Sequence, residues 1–126
     1  MTAVYVHAGL MILAALFFLA AVSVARRKVG RGWLRFHKAV TVIAAACAFA
    51  AAVVMFSFKQ AQGYGHFSSV HSLVGLGGII LILLLPLAGV LMLRGFRGLR
   101  PVHRRAGHIM LFVLLIAGIL GVMSIL

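Results

Sequence analysis

Four apolar runs, at 4–24, 34–58, 69–93 and 102–126, take up most of this 126-residue chain. Each is about as long as the ~20 residues that a helix, rising about 1.5 Å per residue, needs to cross a ~30 Å hydrocarbon core. Backbone inside that core must satisfy its own hydrogen bonds, so runs of this length commit the chain to helices. With 65% hydrophobic and 10% charged residues, the composition lies outside that of ordinary soluble domains. The expected fold is all-α: an integral membrane four-helix bundle, one domain over residues 1–126. The connections are short, so consecutive helices run antiparallel, and no linker, low-complexity tract or second domain is visible. Pro86 falls inside the third run, where neighbouring helices can re-satisfy the backbone it frees.

The twelve Lys and Arg have no acidic counterpart, because Asp and Glu are absent. A net charge of +12 would suit nucleic acid on a soluble surface. Here the cations gather at the ends of apolar runs, not on a solvated face interleaved with aromatics, which argues for lipid and cofactor partners and no nucleic acid. Arg26, Arg27, Lys28, Arg31, Arg35 and Lys38 surround the first connection, Arg94, Arg97, Arg100, Arg104 and Arg105 the third, and Lys59 alone the second. By the positive-inside bias, the first and third connections are cytoplasmic and both termini lie on the non-cytoplasmic side. A cleaved leader would carry its charges ahead of its apolar stretch, whereas these follow it, so the first span is expected to be retained. A multi-pass protein of a bacterial inner membrane is the expected setting.

Each run also carries a histidine near its entry: His7, His37, His71 and His103. An imidazole in hydrocarbon leaves a donor and an acceptor to satisfy, so an intramembrane histidine points to a functional site. Helices one and three enter from the outer face and bring in His7 and His71; helices two and four enter from the inner face and bring in His37 and His103. Paired by depth, the four make two sets of axial ligands, for irons expected roughly 20 Å apart across the membrane. His66 and His71, five residues apart, point about 140° away from each other on a helix and cannot form such a pair; the same holds for His103 and His108. His108 competes with His103 for the fourth position. Cys47 has no partner and no CxxCH motif is present, so any haem is held by ligation and packing.

A macrocycle between helices needs space. Gly75 and Gly107 follow His71 and His103 by four residues, on the ligand's own face. Ala14 and Ala15 follow His7, and Ala44 and Ala45 follow His37, by seven and eight. Gly89, Gly118 and Gly121 lie near the far ends of their helices, beside the opposite pair. The simpler explanation of such residues is close approach of transmembrane helices.

These segments resemble the cytochrome b561 superfamily across essentially the whole chain. FSFKQAQGYGHFSSVHSLVGL, Phe56–Leu76, is similar to that family's connection into its third core helix, with its SxHSxxG pattern around His71. HAGLM from His7 resembles an HPxLM-type start, followed by Ala25 and Arg26; HRRAG from His103 resembles HxxxG, and RFHKAV around His37 a weaker second-helix motif. The resemblance implies a four-helix core holding two haem b groups, with His7, His71, His37 and His103 as iron ligands, and transmembrane electron transfer. The HxxxG match favours His103 over His108. Arg35, Lys38, Arg104 and Arg105 are candidates to pair with haem propionates, and also serve as cytoplasmic anchors. Bis-histidine iron has no open position, so one-electron transfer suits it, with a quinol, small reductant or another cytochrome as donor or acceptor. Transmembrane ferric or quinone reduction fits this chemistry. The alternative is a dihaem membrane-anchor subunit of a larger quinol-linked oxidoreductase; homodimerisation is compatible with either. A proton-coupled antiporter would need an intramembrane acid, and there is none.

Overall fold

A computed structural model of the chain describes residues 2–124. The apolar runs become α1, Thr2–Arg27, α2, Trp33–Gln62, α3, Val70–Leu93, and α4, Arg100–Met123, the last entered through a 3-10 turn at Arg97–Leu99. All four are long and apolar enough to cross a membrane, and no strand occurs among the described residues.

Local chemistry sets the helix ends. α2 continues past its apolar stretch through Lys59–Gln62, because Lys, Gln and Ala are good helix formers. It stops at Gly63, whose φ of +69° lets the Tyr64 N–H reach the Lys59 carbonyl at 2.9 Å. α3 opens on a capping box: Ser69 Oγ accepts from the Ser72 N–H and Ser72 Oγ from the Ser69 N–H, both at 3.2 Å. Pro101 lies in the first turn of α4, where its missing N–H costs nothing. The fourth run was expected to continue to Leu126; residues 125–126 lie outside the described residues.

α1 packs along α2 and α3 along α4, and the two antiparallel pairs meet through α2–α3 and α1–α4. The diagonal neighbours, α1 with α3 and α2 with α4, have no backbone contact among the described residues. Small residues face inward: Ala14, Ala21, Ala44, Ala48 and Ala51 are at most 1% exposed. Leu16, Leu19, Leu84, Phe112 and Leu115 face outward. A soluble bundle would reverse this arrangement; in lipid the large apolar side chains cost nothing outside, and small ones let backbones approach. Phe18, Ile82, Leu85 and Met110 fill the middle of the bundle, between its two ends.

Candidate functional site

His7, His37, His71 and His103 each lie in the first turns of their own helix. Because helix direction alternates, His7 and His71 fall at one end of the bundle and His37 and His103 at the other. The second of these ends also carries the connections at 28–32 and 94–99, and is the basic end.

Each pair meets across a diagonal, where the backbones stand apart. The ring centres of His7 and His71 are 6.2 Å apart with their planes at 85°; those of His37 and His103 are 6.4 Å apart at 80°. Three of the four rings are anchored from behind. Nδ1–H of His7 donates to the Ala51 carbonyl at 3.0 Å, that of His37 to Ala21 at 2.9 Å, and that of His71 to Ala117 at 3.0 Å. A carbonyl only accepts, so Nδ1 carries the proton and Nε2 keeps its lone pair. This is the tautomer a metal-binding histidine uses, with its second nitrogen fixed by a backbone acceptor.

The acceptors share a register. Ala21 and Ala51 each stand fourteen residues after the histidine of their own helix, so α1 and α2 exchange equivalent bonds, and Ala117 stands fourteen after His103. Leu85, fourteen after His71, completes the set by position. The Leu85 backbone is close enough to act on the His103 imidazole, but no hydrogen bond of ordinary geometry reaches His103 Nδ1, the one buried side-chain polar atom without such a partner among the described residues.

Glycines give the rings room. Gly89 and Gly121, each eighteen residues after its own helix's histidine, lie against the histidine of the neighbouring helix. A Cβ added at Gly121 would stand 3.1 Å from His71 Cε1, and one at Gly89 3.8 Å from His103 Cε1. Around Gly75 and Gly107 nothing lies within 4 Å of an added Cβ.

Two nitrogens are too few for a protein-only zinc or iron site, and no group of three or more His, Cys, Asp or Glu occurs among the described residues. A metal whose other four positions belong to a macrocycle needs only two ligands, one on each face. Two metal–nitrogen bonds of about 2 Å, with about 1 Å from nitrogen to ring centre on either side, put the ring centres about 6 Å apart. The residues at each end therefore fit a bis-histidine haem.

The remaining candidates lie elsewhere. His108 is exposed, and its Nδ1–H donates back to the Arg104 carbonyl at 2.7 Å; His103 is the one that faces His37. His66, in the connection before α3, stacks on Phe56 with centroids 4.0 Å apart and donates Nε2–H to Gln60 Oε1 at 2.9 Å. Arg35, Lys38, Arg104 and Arg105 are exposed at the basic end, and Cys47 is a half-buried free thiol. The groups that sequence reasoning misses are the backbone carbonyls of Ala21, Ala51 and Ala117; the available signal was an alanine fourteen residues after a histidine.

No curated protein and no solved structure matches the chain. The family model described as eukaryotic cytochrome b561 matches residues 3–126, the entire bundle with all four histidines. The chain thus belongs to the cytochrome b561 family, to which transmembrane electron transfer by haem is common.

Proposed function

We propose that this chain carries single electrons across a bilayer, holding one haem b between His7 and His71 and a second between His37 and His103. The observation that supports it most is the pairing of the four imidazoles across the diagonals at 6.2 and 6.4 Å, three of them with Nδ1–H committed to a carbonyl. Iron held by two histidines has no open position and supplies one-electron redox chemistry.

The chain's own residues do the positioning. The carbonyls of Ala21, Ala51 and Ala117 aim Nε2 of His37, His7 and His71 toward the bundle axis. Gly75 and Gly107 keep the space beside the ligands free of side chains. Phe18, Ile82, Leu85 and Met110 exclude water between the two ends. Arg35, Lys38, Arg104 and Arg105 pair with propionates at the basic end, where no acidic side chain competes for them. The basic end faces the cytoplasm, both termini face outward, and the membrane is a bacterial inner membrane. A quinol, a small reductant or another cytochrome supplies or removes the electrons.

Proteoliposomes with trapped ferricyanide test this reading. External dithionite should bleach the ferricyanide through the wild-type chain and not through His71→Ala. Equal bleaching by both proteins would contradict it.

A further inference from the structure

We infer that the outer side of α1, where it meets the basic connection, binds one anionic phospholipid, with the lipid phosphate on Arg27 and Ser23 and an acyl chain along Leu19, Leu16 and Ile12. Such a site requires the membrane-spanning bundle and no haem.

The way α1 ends builds the site. The helix closes at Lys28, whose φ of +49° is left-handed and whose N–H donates to the Val24 carbonyl at 2.8 Å. That reversal brings Val29 back toward Val24, and the two valines line a recess with Ser23 and Arg27. Its volume is about 300 Å³, far more than the ~30 Å³ that one water takes up. A guanidinium and a hydroxyl are available to an anion there, and the other walls are apolar. At ~100° per residue, Ser23 and Arg27 lie roughly opposite the buried Ala14, Phe18 and Ala21, on one outward stripe with Ile12, Leu16 and Leu19. The recess therefore opens toward lipid and away from the bundle interior.

The stripe changes character along its length, from exposed Ile12, Leu16 and Leu19 to Ser23 and Arg27. A phospholipid changes in the same order, from acyl chain to phosphate. A guanidinium pairs bidentately with phosphate oxygens, and a hydroxyl donates to a further one. Charge selects the class of lipid. The C-terminus of α1 presents about half a negative charge, against the four cations Arg26, Arg27, Lys28 and Arg31. With no Asp or Glu in the chain, the positive sign wins, which attracts an anionic headgroup and opposes the ammonium of a zwitterionic one. Depth is fixed by a separate contact. Lys28 Nζ stands 5.9 Å from the ring centroid of Trp33, the one tryptophan in the chain, and tryptophan belongs at headgroup level. Val29, 78% exposed among these cations, gives the same level an apolar contact for the lipid glycerol. An aqueous phosphate would use the guanidinium but neither the valines nor the stripe.

Native mass spectrometry of the full chain, released from nanodiscs of equal parts phosphatidylglycerol and phosphatidylcholine, tests this. The wild type should retain one phosphatidylglycerol in preference to phosphatidylcholine, whether or not haem is bound. Arg27→Gln should weaken that retention about tenfold, as loss of a charge-assisted hydrogen bond does, and Ser23→Ala should weaken it less. Arg97→Gln, which removes the same charge from the other basic connection, should leave it unchanged, and Arg27→Lys should keep part of it. Arg27 and Arg97 are both exposed, so neither change disturbs packing. Equal retention of the two lipids overturns the inference. Equal loss in Arg27→Gln and Arg97→Gln overturns it in favour of diffuse attraction to the basic end. Displacement of the lipid by millimolar inorganic phosphate overturns the lipid as the occupant.

Discussion

Gly121 of α4 lies directly against the imidazole of His71 of α3: an added Cβ would come within 3.1 Å of Cε1 and 3.5 Å of Nδ1. The same Nδ1 holds the Ala117 carbonyl, one turn away on α4. Gly121 thus leaves the room in which one turn of α4 fixes the His71 ring.

Gly121→Ala should displace that ring and weaken haem binding at the His7–His71 end by about tenfold or more, as loss of a ligand's supporting partner does. Gly89→Ala should be tolerated, because its Cβ would meet His103 at 3.8 Å, an ordinary contact. Haem titration of the two purified variants checks the contrast.

His103→Ala should remove one haem, whereas His108→Ala and His66→Ala should each retain both. His108 is bonded within its own helix and His66 to Gln60, and neither faces a second axial histidine. Haem counted per protein by pyridine haemochrome distinguishes the three.

Ser69→Ala should cost about 1 kcal/mol through loss of the capping box that starts α3. His71 is the second residue of that helix, so the loss should show first as a lower thermal midpoint for release of the haem at its end. Thermal release followed in the Soret band, with Ser69→Thr as the conservative control, measures it.

Ile82 is completely buried in the core cluster at the centre of the bundle. Ile82→Ala should destabilise by about 2–5 kcal/mol through the cavity it leaves, with both haems still bound. Thermal unfolding in detergent, alongside haem content, separates packing from ligation.

Much of this arrangement is legible in the sequence because membrane helices obey two strong rules, length and apolarity. The four apolar runs correspond to the four helices, and alternation of helix direction alone places His7 with His71 and His37 with His103 at matching depths. The diagonal contact between rings follows from that and from the antiparallel order. What was not legible is carried by backbone. No side-chain pattern announces that Ala51 offers its carbonyl to His7, since alanine is common in membrane helices for packing alone. Helix ends were also displaced: α2 runs to Gln62, past the expected Phe58, because its stop is the left-handed Gly63 and not the end of apolarity. Gly89 and Gly121 were visible as small residues, but which ring each accommodates depends on the rotation of α3 against α4, which hydropathy does not specify.

The central claim is that each histidine pair holds one haem. The most direct measurement is the reduced-minus-oxidised spectrum and haem count of the purified chain, for wild type, His71→Ala and His37→Ala. Two b-type haems in the wild type and one in each variant, with the remaining haem spectrally distinct between the two variants, is the predicted result. A wild-type chain without haem, or variants that both retain two, would contradict it.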